Sequence, residues 1–314
     1  MHIGVFTDCL GFESTDELLE TCEKLGLNGV ELGVGGWSSA PHIDVPALMQ
    51  SEEKRKEYVS KLADHDVKID AFNVSGNPLD PAPQGQKHAE DIFRCFELAG
   101  KMGIKKIVAM SGLPAGCSRD VTPTWMLTSW PPETAEILKY QWDATIKFWE
   151  KAAKAAKDNG IEKIALEPHG WQLVYNIENL MHLKNALGKD GDIIGMNLDP
   201  SHPFWMGGDP IEMARVLGPL VYHCHVKDIL VRPSKAAVNT LLDPKDVHSI
   251  ADRSWNFVVP GAGHDEHWWN SFIRELTLAG YDDVLSFEME DYIGEPLTQL
   301  AYGVRVIENI IRKY

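Results

Sequence analysis

The sequence predicts an α/β chain folded as a single-domain (β/α)8 TIM barrel over residues 1–314. Three observations predict it. Short apolar runs alternate with longer amphipathic stretches from end to end. The runs are continuous, as expected of strands buried on both faces of a parallel sheet. The alternation occurs eight times with no GxGxxG after the first run, which favours a closed barrel over a doubly wound sheet.

Taken in order, the predicted strands are Ile3–Asp8, Gly29–Val34, Lys68–Ser75, Lys105–Ser111, Lys163–His169, Ile193–Asp199, Val221–Asp228 and Asp283–Glu290. The predicted helices are Asp16–Leu25, Val45–Ala63, His88–Met102, Glu133–Asn159, Ile177–Leu187, Ile211–Leu217, Glu266–Ala279 and Pro296–Ile311. Ser14 or Thr15 caps the first helix, with acids in its first turn. Gly26, Gly103, Gly160 and Gly280 each follow a helical stretch and precede a short link to the next strand, the usual place for a left-handed C-terminal residue. Two long loops follow strands. Gly112–Pro132 carries Trp125 and Trp130; Ile229–His264 carries Arg232, Trp255 and the Pro260-Gly261-Ala262-Gly263-His264 turn. Both leave the C-terminal ends of strands, where barrels of this kind build their sites.

Composition narrows the function. Acids outnumber bases 46 to 30, a formal charge of −16, which repels nucleic acid and anionic membrane surfaces. The same charge also serves solubility. The five cysteines, Cys9, Cys22, Cys95, Cys117 and Cys224, form no CxxC pair. That argues for a reducing cytoplasm and against a disulfide framework or a cysteine zinc site. Met1–Val5 enters a strand-like run directly, so no secretory signal is expected.

The chemistry lies at the ends of the last four strands. They read Leu166-Glu167-Pro168-His169, Leu198-Asp199-Pro200-Ser201-His202, His223-Cys224-His225-Val226-Lys227-Asp228 and Phe287-Glu288-Met289-Glu290-Asp291. Any one carboxylate there is commonly a helix cap or a loop ion pair; Asp199 before Pro200 fits a turn, and His225 alone fits a core histidine. Four in succession on one rim are different, because buried carboxylates gathered together require a cation. Three carboxylates and an imidazole make a hard, oxygen-rich set that suits Mn²⁺ first, then Mg²⁺ or Co²⁺, and tolerates Zn²⁺. His169, His223, Lys227 and Asp228 flank these residues. Glu31, Trp37, Trp205, Trp255, His42 and His267 are weaker candidates for the pocket, each with an ordinary packing or ion-pair explanation.

These stretches, with Ser75-Gly76-Asn77-Pro78-Leu79-Asp80-Pro81 and Gly261-Ala262-Gly263-His264-Asp265-Glu266, resemble the sugar phosphate isomerase/epimerase family of the xylose isomerase-like barrel superfamily. The resemblance spans nearly the whole chain. It implies that Glu167, Asp199, His225 and Glu288 hold one divalent ion. It implies further that Glu167 and Glu288 are the catalytic proton-transfer pair, as in ketose 3-epimerases, and that His202 and an arginine bind substrate oxygens. Arg232 is the candidate arginine, one residue further from His225 than the family pattern has it. His264 and Trp125 complete the expected substrate contacts.

The expected reaction is isomerisation or epimerisation of a sugar or keto-sugar through an enediolate. The alternative is a lyase or hydratase acting on 3-oxo-sugars or 3-oxo-glycosides, like inosose dehydratases or the barrel subunits of C-deglycosidases, which work with a β-rich second subunit. A homo-oligomer or such a subunit is therefore the expected protein partner. An endonuclease IV-type enzyme needs extra histidines on the third and fourth strands, where this chain has Asn73-Val74-Ser75 and Ala109-Met110-Ser111. No clear phosphate cradle of glycines and bases appears. Purified protein is expected to carry about one divalent ion per chain; elemental analysis checks it, and active protein free of metal would refute it.

Overall fold

The computed structural model describes residues 1–11 and 14–312. The strands run, in chain order, β1 (His2–Phe6), β2 (Gly29–Gly33), β3 (Lys68–Asn73), β4 (Lys106–Ala109), β5 (Lys163–Leu166), β6 (Ile194–Asn197), β7 (Val221–Val226), β8 (Asp228–Val231), β9 (Trp255–Val258) and β10 (Val284–Phe287). Eight of them form a closed barrel in the order β1, β10, β7, β6, β5, β4, β3, β2, and β8 and β9 form a separate two-stranded sheet. The expected closing pair is present: β1 lies parallel to β10, from His2 opposite Val284 to Val5 opposite Phe287. Among the described residues, no helix is long and apolar enough to cross a membrane.

The chain divides into two compact units, Met1–Glu31 with Leu62–Lys68 and Leu198–Tyr314, and Leu32–Lys61 with Ile69–Asn197. In the first, β1 sits between β10 and β2, with Phe6 opposite Glu31. β10 also pairs with β7, setting Ser286 opposite His225. The helices Glu266–Leu278 and Pro296–Ile311 bury Trp269, Phe272, Leu276, Leu300, Val304 and Ile307. Each such side chain contributes about 1.5–3 kcal/mol by leaving water. The last helix comes close because it carries Gly303: a Cβ there would lie 2.6 Å from Val259 and 2.8 Å from Phe287. In the second unit, β4 pairs parallel with β3 and β5, and β5 with β6. The long helix Thr134–Asp158 packs its buried Trp149 there, whose Nε1–H donates to the Ser111 carbonyl at 2.9 Å.

Most helical expectations hold, including the Ser14 cap, whose Oγ accepts from Glu17 N–H. Two do not. The stretch 45–63 forms two helices, Val45–Gln50 and Glu52–Ala63. Ser51 takes an extended conformation between them and its Oγ accepts from Lys54 N–H. The Ser-Glu-Glu sequence is a helix start, and it overrides the continuous amphipathic reading. The expected loop Ile229–His264 is structured as well. β8 and β9 pair antiparallel within it, from Ile229 opposite Phe257 to Val231 opposite Trp255, with a helix Pro233–Asn239 between them.

One carboxylate pins this excursion. Asp228 is buried and accepts from six donors: Ile229 N–H (2.7 Å), His264 Nδ1–H (2.7 Å), His264 N–H (2.9 Å), Trp269 Nε1–H (3.0 Å), Gly261 N–H (3.2 Å) and Gly263 N–H (3.3 Å). Gly263 is required by the approach, since a Cβ would lie 2.2 Å from the Ile229 carbonyl oxygen. Asp228→Ala strands the buried Ile229 and Trp269 donors, each costing about 1–3 kcal/mol, and leaves four part-buried donors without this acceptor. We expect a loss of at least ~3 kcal/mol in urea unfolding; a loss under ~1 kcal/mol would show that water satisfies these donors equally well.

Candidate metal centre

Alternation along β7 sends His223 and His225 to one face and Cys224 to the other. Both imidazoles are fully buried and meet Glu31, from the middle of β2. The Glu31 carboxylate accepts from His223 Nε2 at 2.7 Å and from His225 Nε2 at 3.0 and 3.1 Å. Ser286 Oγ donates to it at 2.7 Å. The other ring nitrogen of His225, Nδ1, faces Glu288 Oε2 at 3.2 Å and Asp199 Oδ2 at 4.0 Å. Asp199 Oδ1 is engaged by Ser201 N–H at 2.8 Å, which orients the other oxygen toward the histidines.

A cation already stands among these acids. Lys227 Nζ lies 2.5 Å from Glu288 Oε2, 2.9 Å from Glu290 Oε2 and 3.1 Å from Asp199 Oδ2, and 4.7 Å from the Phe257 ring centroid. Burial alone would raise the Glu288 carboxyl, but Lys227 and His225 hold it well below the usual carboxylate range. Asp199 is lowered against its burial by Lys227 and His202. Burial raises Glu290, and Lys227 only partly offsets it. Burial disfavours a charged His225, yet Glu31 and Glu288 on either side push its pKa well above the usual value. His202 goes the other way, pushed down to about 3 by burial with Lys227 adding to it.

The structure therefore gathers three of the expected ligands, Asp199, His225 and Glu288, and His202 Nε2 lies 3.5 Å from Asp199 Oδ2. Glu167 and Trp125 belong to the second unit. Glu167 is buried directly after β5, its N–H donating to the Ala109 carbonyl at 3.1 Å. Trp125 stands edge-on to Tyr175, with centroids 5.6 Å apart. Arg232 is half-buried at the end of β8, its N–H on the Ser254 carbonyl at 2.8 Å. His264 is tied to Asp228 through Nδ1 and stacked on Phe204 at 4.1 Å, so its Nε2 is the nitrogen left to meet a ligand. Trp205 and Trp255 stack on each other at 5.4 Å, and His267 is exposed in the first turn of its helix.

Glu290 was missing from the sequence-based candidates, and Lys227 was read only as a flanking residue. The signal was present: His223, His225 and Lys227 are spaced two apart, as are Glu288 and Glu290, which puts each set on one side of an extended chain. Removing the ammonium with Lys227→Met is expected to destabilise chelator-treated protein by about 3–5 kcal/mol, since the buried acids lose their counter-charge. A divalent ion should restore much of it. Urea unfolding with and without chelator measures both, and equal stability of variant and parent in chelator contradicts the account.

The comparisons agree with this architecture. The xylose isomerase-like TIM barrel family model matches residues 19–310. An uncharacterized Bacillus subtilis (strain 168) protein, YfiH, is 43% identical over 314 residues, covering 99% of each chain. Among solved structures, the probable 3-DHS dehydratase AsbF from Bacillus anthracis is similar at a TM-score of 0.69 and 18% identity, over 98% of this chain and 99% of that one. The IolI protein with a bound zinc atom is similar at a TM-score of 0.68 and 19% identity, over 100% and 99%. With its closed eight-stranded barrel and a family match along most of its length, the chain belongs to the xylose isomerase-like TIM barrel family.

Proposed function

We propose that the protein is a divalent-metal-dependent isomerase or epimerase of a sugar or keto-sugar, with Glu167, Asp199, His225 and Glu288 as ligands. The observation that carries the reading is the buried meeting of Asp199, His225 Nδ1 and Glu288. The donor set fits a divalent ion: hard oxygens, one imidazole, and an excess of negative charge that here already holds an ammonium. Mn²⁺ is the first choice for such donors, with Mg²⁺, Co²⁺ or Zn²⁺ as alternatives.

When bound, the ion would act as a Lewis acid that acidifies a carbon flanked by a carbonyl and a hydroxyl. The residues supply the rest. Glu167 and Glu288, three barrel strands apart in the order β5, β6, β7, β10, would address opposite faces of that carbon. One carboxylate takes the proton, and the other, protonated, returns one to the enediolate. Glu288 suits the base role because Lys227 and His225 keep it ionised. His202, held neutral by its burial, can donate to or accept from a substrate hydroxyl. Return to the same carbon is epimerisation, return to its neighbour is isomerisation, and loss of a β-substituent from the same enediolate gives the lyase outcome.

Glu167→Gln and Glu288→Gln keep an oxygen for the ion and lose the proton acceptor. Turnover of a ketose substrate should fall by ~10²-fold or more in each, while Mn²⁺ affinity falls much less. Deuterium wash-in at the reacting carbon, followed by NMR in deuterated water, separates base from ligand. Near-parent turnover and exchange in either variant would remove that glutamate from the proton pair. An unsaturated product from 3-oxo-glycosides, with no conversion of free ketoses, would replace isomerisation by elimination.

A further inference from the structure

We infer that Glu31 is the positioning residue of the metal centre: it commits His225 to bind the ion through Nδ1, with His223 and Ser286 bracing Glu31 in turn. The inference rests on the metal-dependent reading above and adds to it a residue from the opposite side of the histidine.

The bonding leaves one arrangement once an ion is bound. An ionised carboxylate only accepts hydrogen bonds. Glu31 faces His225 Nε2 through both its oxygens, at 3.0 and 3.1 Å, so that nitrogen must carry the proton. An ion that takes the place of the other ring proton then meets the lone pair of Nδ1, the nitrogen aimed at Glu288 and Asp199. Glu31 cannot turn away. Its Oε2 is also held by His223 Nε2 and Ser286 Oγ, each at 2.7 Å. Its backbone is locked in β2, where it lies opposite Phe6. The Phe6 ring stacks on His225 with planes 10° apart and centroids 6.2 Å apart, which opposes rotation of the imidazole. Glu31, His223 and His225 are all buried, which shields these bonds from bulk water.

The same three residues also have a geometry that a second ion could use. Two features favour the brace. Ser286 Oγ already donates to the oxygen an ion would need. The set has one carboxylate, against the several acids on the Nδ1 side, so a divalent ion there would be poorly neutralised.

The test is metal affinity and histidine proton placement in the full chain. In Glu31→Gln the side chain offers one oxygen and one amide N–H₂. If the amide nitrogen meets His225 Nε2, the ring proton must move to Nδ1, where it blocks the ion. Zn²⁺ and Mn²⁺ affinity, measured by competition with a chromophoric chelator, should fall 10–100-fold. Long-range ¹H–¹⁵N spectra of ¹⁵N-histidine-labelled, Zn²⁺-loaded parent protein should show His225 protonated at Nε2, with that signal lost or altered in Glu31→Gln. Ser286→Ala, a milder change that keeps the carboxylate, should weaken Zn²⁺ binding by less, with the Nε2 proton retained. This covers the case in which Glu31→Gln fails to fold. Unchanged affinity in a folded Glu31→Gln overturns the inference and leaves the metal reading standing. So does a parent spectrum with His225 protonated at Nδ1, or two Zn²⁺ equivalents bound with the second lost in His223→Asn. A parent protein that takes up no ion at all sinks both.

Discussion

A carboxylate inside a barrel must be matched by positive charge, and much of this structure follows from where that charge is found. Seven ionisable side chains meet around one histidine: Glu31 and His223 behind it, Asp199, Glu288, Glu290, Lys227 and His202 before it. His225 is the hinge between the two sets, with an acid facing each ring nitrogen. Such a chain of charges is costly to assemble and unforgiving once assembled. Each member is fixed by another, so none of these side chains can move alone.

The barrel supplies the precision for this at little cost. His225, Ser286 and Glu31 come from three strands that are neighbours or near-neighbours in the sheet, with Ser286 in register with His225 and Phe6 in register with Glu31. Register in a parallel sheet is set by the buried faces of the strands, since a slip of one residue would turn every side chain over. The ordinary apolar residues of β1, β7 and β10 therefore determine the spacing of the polar ones.

Most of the barrel was legible because its strands are unbroken apolar runs punctuated by helix caps and glycines, signals that act within about a dozen residues. Asp199, His225 and Glu288 were legible for a related reason: each ends or nearly ends such a run, where a polar residue is conspicuous. Glu31 stood at the margin. It is a single acid within Gly29–Gly33, and its partners lie 192 and 194 residues away. No local window can connect them, and an acid in a strand reads equally well as an edge ion pair. The β8–β9 pair was illegible for another reason. Its strands have four residues each and are separated by residues 232–254, and nothing in a pattern of period two announces a partner at that remove.

The Asp228 carboxylate has a consequence for how this part of the molecule can change over generations. It grips the chain where it leaves β7 and, through Gly261, Gly263 and His264, grips it again where it returns. Everything between is an excursion with both feet tied to one side chain. Closing a longer excursion costs only about 0.6 kcal/mol for each doubling of length. Residues 232–254 can thus be lengthened, trimmed or exchanged as a cassette while His225, three residues before the clamp, stays where it is. Novelty in what the protein admits can accumulate in that cassette, insulated from the strand that carries the imidazole.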